Sequence, residues 1–524
     1  MKKVIVSGIR MPINHSDAEV FEKASALLKK YGVIPLNMVI YKKSLDARKK
    51  TDIHYLYSVA AELERLNGRI PNQDVRLLEE TPAICLDELR RDFRGGKKIV
   101  IAGSGPCGLF AAYVLCCCGA DVTLFERGKD VDSRTEAVER FWKTGVLDPE
   151  TNIQFGEGGA GTFSDGKLNT RIGDSLQRFV LETFADCGAP REILYQAKPH
   201  IGTDYLKTCV KNLREKIKAM GGRVHFNSCV TDIEVKNGAV TGVWVNGSEL
   251  VECDTFIAAL GHSSRDTYEM LWRHGVMMEQ KPFAAGVRVE HRREFINRMQ
   301  YGSLGDIENL PTADYRLAYN GENRSCYSFC MCPGGVVVNA SSEPEGLVVN
   351  GMSYHNRMAD NSNSALVVSV RPEDFGCDSP LAGVEFQRKY EGLAYRLCGG
   401  RGPVQLVKDF MNNRVSQSFD GVHPSFTGKT EFGDLRGCLP KFITETLKDG
   451  FKDFDRKIKG FSGEGAVMTG VEMRTSAPLR IKRNENHESV THKGLYPAGE
   501  GAGYAGGIMS AAIDGIRIAI RILK

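Results

Sequence analysis

The chain has 524 residues, a length that suggests about three domains. Apolar residues make up 42% and charged residues 26%, the balance of an ordinary globular chain with a large core. A net charge of +4 on this length sets no strong field, and no nucleic-acid partner is expected. No run of about 18 uninterrupted apolar residues offers a membrane span. The opening MKKVIVSGIR is broken by Arg10, too early for a secretion signal. Without such a signal, the fifteen scattered cysteines read as reduced thiols used as small apolar residues, and the expected compartment is cytoplasmic.

Residues 1–95 read as a separate small domain. Lys3 to Ile9 alternates as a strand, and Ser16-x-x-Glu19 is a capping box that opens a helix running to Tyr31. Gly32 closes that helix. Leu36 to Tyr41 and Ile53 to Val59 predict further strands, and residues 84–93 a helix. This β-α-β-β-α order suggests a ferredoxin-like α+β sandwich. The charged run Lys42 to Lys50 reads as a solvated loop, with a dock for an anionic partner as the sharper alternative.

Residues 97–128 are the stretch around which the chain is organised. Lys98 to Ala102 predicts a buried strand, followed by a turn carrying Gly103, Ser104, Gly105, Pro106, Cys107 and Gly108. Leu109 to Cys118 continues as an apolar helix, and Asp121 to Glu126 is a second strand ending on a carboxylate. Each part has a physical task in holding a dinucleotide. The first glycine allows the tight turn, the second lets backbone approach a pyrophosphate, and the third lets helix and strand pack closely. The helix start supplies free N–H groups and a positive dipole end. Glu126 lies 23 residues after Gly103, near the ~20 expected of an acid that bonds the adenosine ribose.

A second glycine-rich stretch, Phe155 to Arg171, spells Gly156-x-Gly158-x-x-Gly161, but no β-branched strand leads into it. A second dinucleotide unit is therefore rejected there; such density of small residues means backbone passing close to something flat or phosphorylated. Arg134 could reach a phosphate, with a solvated helix residue as the alternative. Tyr205 to Met220 has helical spacing, and Asp254 to Leu260 is a buried strand leading to Gly261 and His262. From about Lys281 to Gly470 the pattern becomes alternating strands, with a few helices between 384 and 458. This predicts an inserted, mainly antiparallel β domain. The chain is expected to divide into 1–95, 96–275, 276–470 and 471–524, the second and last forming one domain.

The 97–128 stretch resembles the FAD-binding signature of glutathione-reductase-type flavoproteins, where Ala/Ser-Gly-Pro-x-Gly-Leu is usual. Residues 494–523, GLYPAGEGAGYAGGIMSAAIDGIRIAIRIL, resemble the closing FAD motif of that superfamily. The resemblance implies that Glu500, after Gly499, holds the ribityl chain. It also implies that the helix start at Gly506, Gly507 and Ile508 faces the flavin. By the same resemblance Gly159, Ala160, Gly161, Thr162, Asp165, Gly166 and Lys167 run beside pyrophosphate and isoalloxazine. Arg127 joins Glu126 at the cofactor. Ala259, Gly261 and His262 match a turn set beside the FAD, with Leu260 where threonine is usual. The order of the whole chain is similar to an uncharacterised family of bacterial FAD-dependent dehydrogenases. The matching segments are Pro199 to Asp204, FCMCPGG, NGMSYHNR and GEGAGYAGG.

Candidate substrate residues are Tyr354, His355 and Arg357 in a polar segment, and Glu472, Arg474 and Ser476, which alternate just before the closing motif. Arg474 either stabilises negative charge at a reduced flavin or pairs internally with Glu472. Cys330 and Cys332 share a face if their segment is a strand, which leaves buried thiols or a redox pair; further ligands at metal spacing are lacking, and no metal is expected. The C-terminal Gly501-x-Gly503-x-x-Gly506 leaves only 18 residues after it, too few for a second strand and acid. One dinucleotide fingerprint argues against a dedicated NAD(P)H domain, while NAD(P)H as a transient electron donor stays open.

The sequence thus predicts an α/β protein: a Rossmann-like FAD-binding domain with an inserted mainly antiparallel β substrate domain and an N-terminal ferredoxin-like domain. Its expected activity is hydride transfer between a small-molecule substrate and flavin N5. A flavin monooxygenase or C=C reductase is the enzymatic alternative. A structural or sensory FAD that recruits a partner is the alternative of another class. Catalytic residues and oligomeric state are left open.

Overall fold

A computed structural model describes residues 2–31, 33–63, 74–78, 84–93, 95–168, 174–305, 309–463 and 465–524. In the N-terminal region, strands Lys2–Met11, Pro35–Asp46, His54–Leu63 and Val75–Leu77 form one antiparallel sheet. From one edge to the other the order is 35–46, 54–63, 2–11, 75–77. Helix Asp17–Lys29 crosses between two strands that the third separates, the arrangement of a split β-α-β unit. Ser16 and Glu19 form the reciprocal cap: Glu19 accepts from the Ser16 backbone N–H at 2.7 Å, and the Ser16 hydroxyl accepts from the Glu19 N–H.

Two expectations change here. The run Lys42 to Lys50 is not all loop, since its first five residues continue the edge strand Pro35–Asp46. Lysines along a sheet edge keep it soluble and also erase the apolar alternation by which strands are recognised. The helix expected at 84–93 is Leu86–Asp92, and its Leu89 is buried with Ile99 and Phe110 of the following unit rather than under the N-terminal sheet.

The next unit is built on a five-stranded parallel sheet. Its order is Arg223–His225, Asp121–Phe125, Lys98–Ala102, Thr255–Ala258 and Leu495–Pro497. Strand 98–102 is flanked on both sides, so it is apolar throughout after its first lysine, and Ile101 is fully buried. The chain leaves it in one direction toward 121–125 and returns on the other side through 255–258. The crevice at its carboxyl end is thus a topological switch point, where ligands of such sheets bind. Helix Pro106–Cys117 and the C-terminal helix Ile508–Leu523 pack together so closely that a Cβ on Gly515 would stand 2.1 Å from the Cys107 carbonyl oxygen. A three-stranded antiparallel meander, 230–236, 239–245 and 249–252, follows helix Thr203–Ala219 and strand Arg223–His225.

The inserted region forms a seven-stranded sheet ordered 318–320, 325–332, 361–370, 283–292, 467–472, 402–406, 430–432. All neighbours are antiparallel except the last pair. Helices Ala382–Leu397 and Lys441–Lys457 cover it. The short pair Met278–Gln280 and Leu479–Ile481 forms the neck where chain leaves and re-enters the parallel-sheet unit. Among the described residues no helix is long and apolar enough to cross a membrane.

Candidate functional site

The turn after strand 98–102 is held by the chain itself at two of its three glycines. Gly103 donates to the Phe125 carbonyl at 2.8 Å, sits at φ +101, and a Cβ there would lie 2.5 Å from the Ala259 oxygen. A Cβ on Gly108 would fall 1.9 Å from the Gly103 oxygen. Gly105 differs. It has an ordinary φ of −71, and the nearest atom to its missing Cβ is the Gly159 Cα at 3.9 Å. Gly261 and Gly506 have no atom at all within 4 Å of that position and, like Gly105, no positive φ. All three glycines line one cleft of about 3050 Å³. Since the protein itself requires no glycine at these places, the bare backbone fits an occupant of the cleft, as a dinucleotide would be. Helices Pro106–Cys117 and Ile508–Leu523 both start there, with Gly105 and Gly507 as their caps. Each end offers unpaired N–H groups and partial positive charge.

Pro106, Cys107, Glu126 and Arg127 line the same cleft, while Ser104 and Gly108 lie behind it. Glu126 is held by the protein through both carboxylate oxygens. Its Oε2 accepts from the Ser104 backbone N–H (2.9 Å) and hydroxyl (2.7 Å). Its Oε1 accepts from the N–H groups of Gly128 (3.0 Å) and Gly156 (2.9 Å). A carboxylate has about four lone-pair sites, and here the protein fills them. Glu126 therefore ties the first turn to the 156–161 loop. Arg127 lies over the Phe155 ring (4.5 Å) and is held by Glu150 at 2.8 Å and Asp266 at 3.0 Å.

Arg134 is fully buried and donates to the carbonyls of Asn152, Ile153, Gly156, Glu157 and Gly159 at 2.6–3.2 Å. The phosphate contact considered for it gives way to this role, since its donors serve the loop and it does not line the cleft. Burial lowers its pKa to about 10, against the pull of Glu126 and Glu157. The loop so gathered brings Gly159, Ala160 and Gly161 to the cleft, with Gly161 packed on Ile508. Thr162 is buried, and its carbonyl accepts from Thr203 at 2.6 Å. Asp165, Gly166 and Lys167 also line the cleft. Asp165 is held far below the usual carboxylate range: burial opposes its ionisation, but Lys167 (3.2 Å) and Arg357 outweigh it. Residues 169–171 of the glycine-rich stretch lie outside the described residues.

The closing turn is braced by its own helix and by Arg483 from outside the motif. Asp514 accepts from the Gly499 N–H at 2.7 Å and from Arg483 at 2.6 and 2.9 Å, and Arg483 covers the Tyr504 ring. Glu500 lines the cleft and accepts from the Gly507 N–H at 3.3 Å. Burial raises its pKa to about 7, against that N–H and Lys281. Ala259 and His262 reach the cleft beside Gly261. His262 meets the Ser263 hydroxyl at 3.0 Å, and burial followed by Arg474 and Arg265 lowers its pKa to about 3. It is neutral at physiological pH.

Of the substrate candidates, Glu472 and Arg474 line the cleft, but they are not each other's partners. Glu472 takes the Arg288 guanidinium at 2.8 and 3.1 Å. Arg474 takes Glu391 at 2.8 and 2.6 Å and also donates to Ser263 and Ser342. Glu391 is shared with Arg265. Burial opposes its ionisation, yet the two arginines hold its pKa at about 2. Ser476 accepts from Lys281 at 3.3 Å behind the cleft.

Tyr354, His355 and Arg357 do not line the cleft, which corrects their placement in a pocket. Tyr354 is exposed, and His355 stacks on His200 with ring centres 5.0 Å apart. Arg357 pairs with Asp165 and so fastens the inserted region to the glycine-rich loop. The sequence reading missed Arg288, Glu391 and Arg265. The only signal for them was charge within otherwise apolar or amphipathic segments. Among the described residues no group of three or more His, Cys, Asp or Glu is gathered as a metal would require.

Comparison with solved structures finds CtdE in complex with FAD, 14% identical, covering 81% of this chain and 84% of that one, with a TM-score of 0.32. A geranylgeranyl bacteriochlorophyll reductase-like protein from Thermoplasma acidophilum is 12% identical, covering 81% and 78%, with a TM-score of 0.35. Sequence comparison reaches further. Residues 282–475 match the family described as FAD-dependent protein, C-terminal domain-like. A protein of Clostridium beijerinckii, described as uncharacterised, is 52% identical over 496 residues, 93% of this chain and 92% of its own. The chain belongs to the family of FAD-dependent proteins that carry this C-terminal domain.

Proposed function

We propose that the protein is an FAD-dependent oxidoreductase of dehydrogenase or reductase type, exchanging hydride with a small-molecule substrate. Its FAD domain would be of glutathione-reductase type. Bound FAD would supply a two-electron centre that accepts or returns hydride at N5. The observation that carries this reading is the convergence of Gly105, Gly261 and Gly506 on one cleft with two helix starts, at places where the protein itself needs no glycine. In this reading the helix start at Gly105 binds the pyrophosphate, and Ala259, Gly261 and His262 flank the cofactor. The start at Gly507 favours negative charge on the flavin side. Glu500 orients the ribityl chain. The wall from the inserted sheet, with Glu472 and Arg474 locked into ion pairs, excludes water and fixes the substrate's position. Neutral His262 offers an uncharged hydrogen-bonding ring near that wall.

The test is to purify the protein, identify FAD by absorbance, and follow anaerobic bleaching with NADH, NADPH and a panel of metabolites. Fast bleaching by a nicotinamide would mark a reductase fed by NAD(P)H as transient donor. Bleaching by a metabolite alone would mark a substrate-oxidising dehydrogenase. A flavin that neither bleaches would contradict the enzyme reading and favour a structural or sensory cofactor. A cytoplasmic location belongs to the same proposal.

A further inference from the structure

Cys330 and Cys332 stand where the inserted sheet faces the cleft, and no step above uses them. Strand Ser325–Cys332 loses register against Asn361–Val370 between Phe329 and Cys332, so Cys330 sits in a bulge. Its φ is +42, a conformation that non-glycine residues seldom adopt. The bulge brings Cys330 into the cleft lining with Lys167, Glu472 and Glu500, while Cys332 behind it is fully buried. Glu500 belongs to the closing cofactor motif, so the bulge and that motif share one cleft.

Two cations converge on the pair. Arg288 donates to the Cys330 carbonyl at 2.9 Å and reaches the Cys332 Sγ at 3.9 Å. The Lys167 ammonium donates to the carbonyl of Met331, between the two cysteines. Cys332 Sγ lies 3.4 Å from the Cys330 carbonyl oxygen. Residues two apart on a regular strand are separated by roughly 6.4–6.8 Å, the outer limit of the ~4.4–6.8 Å between α-carbons that a disulfide bridges, and the bulge at Cys330 breaks that regular extension.

We propose that Cys330 and Cys332 are a redox pair that exchanges two electrons with the cofactor, which makes the protein a flavin–dithiol relay. The proposal rests on the FAD reading above. In the oxidising direction both S–H bonds break and one S–S bond forms. The two electrons and two protons released are taken by oxidised FAD, and the reverse step returns them to the disulfide. The two thiols differ as such a relay requires. The neighbouring Cys332 thiol, then Lys167 and Arg288, push the Cys330 thiol toward its thiolate despite burial, and the Cys332 thiol is pushed the other way. Among the described cysteines Cys330 is the one pushed down. Burial raises Cys107, Cys116, Cys209, Cys326 and Cys438 as it does ordinary core thiols.

The test is an anaerobic dithionite titration of the air-oxidised holoprotein, with alkylation and peptide mapping before and after reduction. A relay takes up two electron pairs per flavin, and its oxidised form yields a 330–332 peptide that resists alkylation until reduced. The Cys330→Ser protein should keep its FAD and take up one pair. A wild-type holoprotein that takes up one pair, with both thiols alkylated equally before and after reduction, overturns the relay and leaves the FAD reading intact. A protein that purifies without flavin and cannot be loaded with FAD removes both. The wild-type titration and mapping need no variant, so they decide the matter even if Cys332→Ser, at a fully buried site, fails to fold.

Discussion

The 103–108 turn and the 156–161 loop share one spelling, Gly-x-Gly-x-x-Gly, and lie side by side in the same cleft wall. In the loop the glycines answer to the chain. Gly156 sits at φ +115, and a Cβ there would stand 2.5 Å from the Arg134 side chain, while one on Gly161 would stand 2.9 Å from Ile508. In the turn, Gly103 and Gly108 also answer to the chain, but Gly105 does not. Spacing alone therefore cannot separate a glycine required by packing from one required by a ligand. The atoms that a Cβ would meet can.

Substitutions should separate these classes. Gly108→Ala would drive a methyl group into the Gly103 backbone, beyond the ~1–3 kcal/mol usual for overpacking. The expected result is little or no folded protein, with or without added FAD. Glu391→Ala would leave Arg265 and Arg474 buried without their shared carboxylate, which costs about 3–5 kcal/mol. Denaturant melts of the apoprotein should show the loss, and an unchanged midpoint would mean that the ion cluster is not a support of the cleft wall.

Glu126→Gln leaves a single acceptor oxygen facing donors that now fill two, so about 1–3 kcal/mol of apoprotein stability should go. Were Glu126 only a ribose ligand, the apoprotein would melt unchanged and only FAD binding would weaken. The last effect is on pH dependence. His262 is neutral in the fold, its pKa depressed from 6.5 to about 3. Its contribution to stability is full above 6.5 and is lost as pH falls from there toward 3, because the unfolded chain binds the proton first. His262→Asn should flatten the stability profile across that window, and an identical profile in the variant would show that the imidazole does not titrate there.

What was legible in the sequence follows the range of the forces. Strand 98–102, its turn and helix Pro106–Cys117 are fixed by neighbours in sequence, and so is the Ser16–Glu19 capping box. Pairings across the chain were not legible. Arg474 finds Glu391, 83 residues upstream on helix Ala382–Leu397, instead of Glu472 two positions away, because Arg474 lies past the end of strand 467–472, where the packed helix and not the sheet sets its surroundings. Tyr354, His355 and Arg357 looked like a pocket because they are polar, yet two of them fasten the inserted region to residues 165 and 200. Glu126 stood at the right distance for a ribose acid. The loop that occupies it, which arrives 30 residues later at Gly156, could not be inferred from spacing.

The central claim is that the bare backbone at Gly105 exists for a cofactor. The most direct measurement is FAD content per chain in wild type and Gly105→Ala, with apoprotein melting recorded for both. The wild type should be yellow, and the variant should show the same apoprotein melt with an FAD affinity at least roughly tenfold lower, about 1.4 kcal/mol. A variant that retains FAD as tightly as wild type would contradict that claim.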